Sequence, residues 1–561
     1  MTAIAKPTAT RLLLWCVFTG ALVQLLLWRW GDYERFTPIF RYLLRYYDSH
    51  GNLLLIALAL CAWFLRRQPA ALAAVRFVAD RPWTIAAVLF PVLCLGSLQA
   101  YHNHPLSMDE YSAVFQAKAF AAGRLAGNYP PELLDWLIPP YFQNGFLVVS
   151  RASGEVSSIY WPGFSLLLAP FAWLDIPWAL NPALGALAIP ALHRLTRQVT
   201  GSQEAAGWAV ALTVASPAFI VASISFYSMQ AHLLSNLLYA LLLLHPTVPR
   251  ALLAGLVGSV ALTLHQPVPH LLFLLPFVVW LIFRPGSVAI LSALCIGYLP
   301  LSILLGFGWH YHLLELMHGT IGGGSPPSGA PLLDVISSRI GNVVKLPSPV
   351  TIEARIAGLS KLWTWGALGL LVLAAYGYAA GRTLTAVRIL GAALALTFFG
   401  YFLLSVEQGH GWGYRYIHSA WFVIPLLAAI ALSPSQNPER GELRAMVAWA
   451  IVLSLVLVNA QRLVQVESFI DRHLRQIPPL ASAPDPLRRE IVFVDSSAGA
   501  YLEDVVQNDP FLRAPRIVMM LQGRENVEEL MRRRFPGYER NARGEWGESW
   551  VSPTGTKSPS R

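Results

Sequence analysis

The chain runs to 561 residues, with 41 Lys plus Arg against 31 Asp plus Glu, and 55% of its positions are hydrophobic while only 13% are charged. Soluble domains carry about 25% charged residues, so this chain has about half the charge that a water-facing surface needs, and its mean hydropathy of +0.50 places most of it in lipid. A soluble enzyme is excluded. The net charge of +10 is then read as the excess of Lys and Arg that sets loop orientation in membrane proteins, and nucleic acid is excluded as a partner. Cys16, Cys61, Cys94 and Cys295 each lie alone in an apolar run, which fits neither a disulfide framework nor a zinc site.

A spanning helix needs about 20 mostly apolar residues. Segments of that kind are predicted near 11–29, 51–66, 82–100, 180–196, 207–222, 231–246, 250–265, 270–284, 287–306, 362–380, 389–405, 417–433 and 444–463, about 13 in all. The first is too long for a signal h-region and lacks a small-residue cleavage pattern, so it is kept as a span. The apolar stretch 161–175 is broken by Pro162 and Pro170 and stops at Asp175. Treated as an interfacial or re-entrant segment, it lets Arg66, Arg67, Arg76, Arg81, Arg194, Arg197, Arg250, Arg284, Arg382, Arg388, Arg440 and Arg444 all fall inside, as the positive-inside rule asks. Arg35, Arg41 and Arg45 then fall outside, offset in part by Asp32, Glu34 and Asp48.

Four regions follow: N-terminal spans over 1–81, a module over 82–306 with an outer loop 101–179, an outer loop and further spans over 307–463, and a tail over 464–561. In the tail, Ile491–Asp495 and Arg516–Met520 read as buried strands, and 500–508 and 525–534 as helices. That alternation predicts a small α/β domain on the outer face. No internal repeat is evident.

Chemistry concentrates in the outer loops. In the first, Ser107-Met-Asp109-Glu110 precedes a helical pattern in which Tyr111, Phe115, Ala119 and Ala122 share a face, which predicts an amphipathic helix lying at the interface. Two adjacent carboxylates at the mouth of a membrane cavity suit a general base. Equally, Ser107 and Glu110 match the capping box that satisfies the orphan amides of a helix start. His232 and His265, the latter followed by Gln266, sit at outer ends of spans, where polar groups mark either a site or an inter-helix hydrogen bond. Arg415 lies in the Gly-rich stretch Glu407-Gln-Gly-His-Gly-Trp-Gly-Tyr-Arg-Tyr, and its planar fork of donors suits phosphate. Interfacial anchoring by Trp412, Tyr414 and Tyr416 explains the same pattern. His312, Glu315 and His318 spread over a broad helical arc rather than converging on a metal, and Ile321-Gly-Gly-Gly-Ser-Pro-Pro-Ser-Gly is a linker with the composition of a lid.

An early span, an outer Asp109-Glu110 heading a helix, the segment Tyr160-Trp161-Pro162-Gly163 and the element Gly413-Tyr414-Arg415-Tyr416 together resemble the GT-C superfamily of polytopic glycosyltransferases. The similarity is to the protein O-mannosyltransferase and lipid A aminoarabinose transferase branch and covers roughly residues 82–433. It implies an all-α polytopic membrane fold and sugar transfer from a polyprenyl-phosphate donor to an envelope acceptor on the outer face of a bacterial-type inner membrane, without a cofactor. Asp109 matches the base of that family and Glu110 its partner carboxylate. The implied donor set is Arg415, His232, His265, Gln266 and Tyr160. Two departures stand out: Tyr160–Gly163 lacks the family's basic residue, and His265-Gln266 stands where relatives carry an arginine. Alternatives are a flippase for lipid-linked sugars and a ligase or polymerase using a pyrophosphate-linked donor. The absence of repeated halves speaks against the flippase.

Overall fold

The computed structural model describes residues 9–30, 38–318, 345–404, 408, 411–433, 438–485, 487–521 and 526–553. Among these, five helices are long and apolar enough to cross a membrane: Ala9–Arg29, Pro82–Gln99, Val288–Met317, Thr385–Leu403 and Arg440–Arg475. The bent pair Ile39–Phe64 and Pro69–Asp80, angled at 109°, makes a sixth if it counts as one span. Other apolar segments expected to span form shorter helices, among them Met229–Leu243, Val248–Thr263, Val268–Ile282 and Leu370–Gly381. Proline causes part of this shortening. The stretch expected to span 207–222 breaks at Ser216, and a new helix, Pro217–Ile224, starts on its proline. Helix Gly163–Trp173 has 11 residues, about 16 Å at 1.5 Å per residue, half the depth of the hydrocarbon.

Helix Arg440–Arg475 has 36 residues, about 54 Å, and therefore extends well past a hydrocarbon layer of about 30 Å. One end is tied by Glu442 to Arg66 at 3.2 Å and Arg67 at 3.3 Å. The other end leads into the tail, where strands β4 (Glu490–Val494), β5 (Arg516–Met520), β6 (Glu539–Gly544) and β7 (Gly547–Val551) form a sheet of order β5-β4-β7-β6. β4 and β5 run parallel, as the α/β pattern requires, and β7 pairs antiparallel with β4 and β6. The hairpin β6–β7 is absent from the sequence reading because Arg540, Arg543 and Glu548 interrupt its apolar alternation. The expected helix 500–508 is reduced to a 3-10 turn, Leu502–Val505. A second, smaller sheet, β1 (Gly127–Asn128), β2 (Leu147–Val149) and β3 (Glu155–Ser158), in strand order β1-β3-β2, occupies the first outer loop.

The helix after Ser107, Met108–Ala121, forms where the pattern predicted it but does not lie on an interface. Met108, Glu110–Ala117 and Ala119 are all buried. One side, with Ala113, Val114 and Ala117, joins the core of the helical bundle. The other, with Tyr111 and Phe115, packs against Ile491, Phe493 and Ile517 of the tail sheet. The Tyr111 hydroxyl donates to the Asn508 carbonyl and accepts from its amide, both at 2.8 Å. Local periodicity marks an apolar face without telling what covers it, and here a protein domain takes the place assigned to lipid.

Asp48 also differs from expectation. It does not offset loop arginines but is buried in the helical turn Leu44–Asp48. There it pairs with Lys361 at 2.8 Å, lies 3.6 Å from Arg462 and accepts from Trp365 Nε1 at 2.5 Å. Arg462 also donates to the Tyr47 and Thr364 carbonyls. Removing the charge of Asp48 leaves two buried cations without a counter-ion, the situation that costs about 3 to 5 kcal/mol. Asp48→Asn is expected to lower the unfolding midpoint of the full chain in detergent sharply, and the double variant Asp48→Asn/Lys361→Met to recover part of it. An unchanged midpoint in the single variant would refute the clamp.

Candidate active site

The start of helix Met108–Ala121 is set by Ser107, whose extended backbone (φ −139°, ψ 164°) turns the chain into the helix. The capping box closes only in part. Ser107 Oγ bonds Tyr227 Oη at 2.9 Å instead of capping the helix. Glu110 does reach back, to the Leu106 amide at 2.8 Å, one residue earlier than the motif places it. Its other oxygen accepts from the Phe226 amide at 2.8 Å and the Tyr101 hydroxyl at 3.0 Å. Fully enclosed, Glu110 fastens the helix start to the turn at 225–227 and faces away from the pocket. Burial pushes its carboxyl up to about 7, against the opposing pull of the Phe226 and Leu106 amides and the Tyr101 hydroxyl.

Asp109 points the other way. One oxygen accepts from the Tyr160 hydroxyl at 2.5 Å, and the other pairs with Arg415 Nη2 at 3.0 Å. Burial is the largest single influence and raises its pKa, but the Arg415 guanidinium, His265 and the Tyr160 hydroxyl together outweigh it and hold the carboxyl below its ordinary value, so Asp109 is an ionised acceptor at neutral pH. Its side chain keeps 24% exposure, which leaves it reachable by an incoming group.

Arg415 starts the 3-10 turn Arg415–Ala420. Its amide donates to Gln408 Oε1 at 3.1 Å, and Gln408 Nε2 donates to the Gly413 carbonyl at 2.9 Å. Gly411 and Gly413 hold φ of +115° and +63°, a region L side chains rarely adopt. A Cβ on Gly411 would meet Arg415 Cδ at 2.4 Å. The guanidinium lies 4.3 Å over the Tyr227 ring, while Nη1 is buried without a hydrogen-bond partner. Next door, Tyr416 packs between the ring of Tyr401 at 4.5 Å and the guanidinium of Arg355 at 4.5 Å.

The segment Tyr160–Phe164 is held by backbone. The Trp161 amide donates to the His265 carbonyl at 3.1 Å, and that of Phe164 to the Leu264 carbonyl at 3.0 Å. Tyr160 stacks on His265, with ring centroids 3.7 Å apart. One pocket thus gathers Asp109, Arg415, His232, His265 and Gln266, five residues singled out from sequence. Tyr160 joins them through Asp109, whereas Glu110 lies behind. Tyr416, read from sequence as an interfacial anchor, lines the pocket as well, whereas the lining residues Tyr227 and Ser419 have no sequence signal, since an aromatic or a serine in an apolar run is ordinary.

Outside the pocket, His312 Nε2 bonds Ser157 Oγ at 3.2 Å, and the Gly-rich stretch 321–329, like Glu407 and His410, lies outside the described residues. His102, Glu467 and Asp471 bring ligating atoms within 4.8 Å of one another. Arg475 already holds Asp471 at 2.8 Å, and Ser468 Oγ donates to Glu467 at 3.1 Å. A cavity of about 380 Å³ lies on the tail side of helix Met108–Ala121, lined by His102, His104, Lys118 and Asn508 among others.

No known protein family and no curated protein matches the chain. Among solved structures it is similar to two crystal structures of ArnT from Cupriavidus metallidurans, one bound to undecaprenyl phosphate and one in the apo state. Each gives a TM-score of 0.50 at 12% identity, covering 85% of this chain and 99% of that one. The likeness is one of fold.

The raised carboxyl of Glu110 makes a signed prediction. Between its ordinary value of 4.5 and about 7 the folded chain binds more protons at this group than the unfolded chain, so its contribution is full at low pH and is lost as pH rises through about 7. Stability should fall over that window by up to about 1 kcal/mol per pH unit. Glu110→Gln, which cannot ionise, should remove that slope in unfolding curves taken from pH 4.5 to 7.5. An identical slope in both proteins would refute the assignment.

Proposed function

We propose that the protein is an integral membrane glycosyltransferase that moves a sugar from a polyprenyl-phosphate carrier to an envelope acceptor. Its bundle would contain about 13 spans, with the shorter apolar helices completing the five or six long ones. The pocket and tail would face the periplasmic side of a bacterial inner membrane, as the arginine distribution indicates. Undecaprenyl phosphate, the lipid bound in one of the ArnT structures, is the carrier we infer.

The observation that carries this reading is the Asp109–Arg415 pair at the pocket, with Arg415 Nη1 buried and without a hydrogen-bond partner. A carrier phosphate entering the pocket would bond Nη1 and compete for the guanidinium. As Arg415 turns toward phosphate, Asp109 loses its main counter-charge and becomes a stronger base. An acceptor hydroxyl would then give its proton to Asp109 while its oxygen bonds the anomeric carbon. The bond from that carbon to the phosphate oxygen breaks on the opposite face, and polyprenyl phosphate leaves with the electron pair. Configuration inverts. Arg415 stabilises the charge on the departing phosphate, Tyr160 orients Asp109, and His232, His265 and Gln266 bound the donor. Glu110 serves as a positioning residue.

Reconstituted in liposomes with an undecaprenyl-phosphate sugar and envelope extract as acceptor source, the wild type should form a glycosidic product. Asp109→Asn should lower kcat by about 1,000-fold, within the range usual for loss of a general base. Arg415→Lys should raise KM and lower kcat together, because a point charge does not replace a planar fork. Near wild-type turnover in Asp109→Asn overturns the mechanism. Movement of the lipid across the bilayer without a glycosidic product favours a flippase, and activity restricted to pyrophosphate-linked oligosaccharides favours a ligase or polymerase.

A further inference from the structure

Beyond the Asp109–Arg415 end, the pocket has an inner wall made by two segments far apart in sequence. His232, on helix Met229–Leu243, is 3% exposed, and neither ring nitrogen has a hydrogen-bond partner. Ser419, at the end of the turn that begins with Arg415, is 4% exposed, and its hydroxyl has none. Both line the pocket. Buried polar side chains are nearly always hydrogen-bonded, and leaving one unpaired is costly, so two together facing one pocket point to a ligand.

Their placement is enforced. Asn236, one helical turn beyond His232 on the same face, donates from Nδ2 to the Ser419 carbonyl at 3.0 Å. Its Oδ1 bonds His270 Nδ1 at 2.6 Å, and His270 Nε2 in turn bonds Tyr298 Oη at 2.7 Å. Gln230 Oε1 and His418 Nε2, 3.1 Å apart, tie the same two segments again. Asn236, His270 and His418 are thus engaged with partners of their own, and the His232 ring and the Ser419 hydroxyl are left at the pocket wall.

The chemistry of this wall selects a ligand class. An imidazole and a hydroxyl each both donate and accept, which matches ring hydroxyls. Among the described residues lining the pocket the one carboxylate is Asp109, which the proposed reaction commits to the acceptor proton once Arg415 has turned to the phosphate. A sugar ammonium would meet the Arg415 charge and find no carboxylate free to pair with it, and an unpaired buried charge is strongly unfavourable. We propose that His232 and Ser419 form a sugar-reading subsite that accepts the ring hydroxyls of an uncharged sugar on the carrier and rejects an amino sugar.

This inference rests on the carrier reading, and the test separates the two. The full chain in nanodiscs is titrated by native mass spectrometry with undecaprenyl phosphate alone, with its glucosyl, galactosyl, mannosyl and arabinosyl forms, and with its 4-amino-4-deoxyarabinosyl form. The readout is the ratio of sugar-lipid affinity to bare-lipid affinity within each protein. At least one neutral sugar should give a ratio of about ten in the wild type, and the amino sugar a ratio near or below one. In His232→Leu and in Ser419→Ala the neutral-sugar ratio should fall toward one, and His232→Gln should restore part of it. The subsite is overturned if no neutral sugar gains affinity, if the amino sugar gains as much, or if the ratio survives both substitutions. A wild type that binds none of these lipids, bare carrier included, overturns the carrier reading and the subsite with it.

Discussion

The site depends on one ion pair between residues 306 positions apart, Asp109 at the start of a helix and Arg415 on a glycine-rich turn. Neither charge is comfortable alone in a low-dielectric surrounding, and each is fixed by further partners. Tyr160 holds the second oxygen of Asp109, Tyr227 lies under the guanidinium, and Gln408 ties the Arg415 amide to Gly413. Three separate segments must therefore be in register before the pair exists. The backbone bonds from Trp161 and Phe164 to the loop at 264–265 and the seating of helix Met108–Ala121 against the tail supply that register.

Adjacent carboxylates in this chain have opposite environments. Glu110 is enclosed by two amides and a hydroxyl, with no cation bonded to it, and its proton affinity rises. Asp109 shares a guanidinium and keeps an open side, and its proton affinity falls. One helical step of about 100° turns the first toward the bundle interior and the second toward the pocket. The pair is thereby divided into a group that fastens the helix start and a group that lines the pocket.

Much of the site is legible in the sequence because charge is rare in it. With 13% charged positions, arginines of short loops are absorbed by orientation, and the remainder stand out: Asp109, Glu110 and Arg415, with His232, His265 and Gln266 at helix ends. Five of these six line one pocket. Which way each side chain turns is not legible, since it depends on packing between distant segments. That is why Glu110 reads as a partner in chemistry and Tyr160 as a carrier contact, whereas the fold makes one a fastener and the other a ligand of Asp109. The extent of helix Met108–Ala121 follows from its periodicity, but its cover does not, because a tail sheet and a lipid surface demand the same apolar face. The β6–β7 hairpin escapes for the converse reason: its charges serve an exposed edge and hide the alternation.

The tail acquires a structural reason from the same geometry. Helix Arg440–Arg475 carries the chain some 20 Å beyond a hydrocarbon layer of about 30 Å and delivers β4 and β5 to the back of the helix that bears Asp109. Tyr111 and Phe115 are then buried between two rigid layers rather than left against mobile lipid. The Asp109 carboxylate gains positional precision from such a backing, because errors in the helix position pass directly to its side chain. The tail thus bears on the pocket through the placement of one helix, and among the described residues it contributes none to the lining.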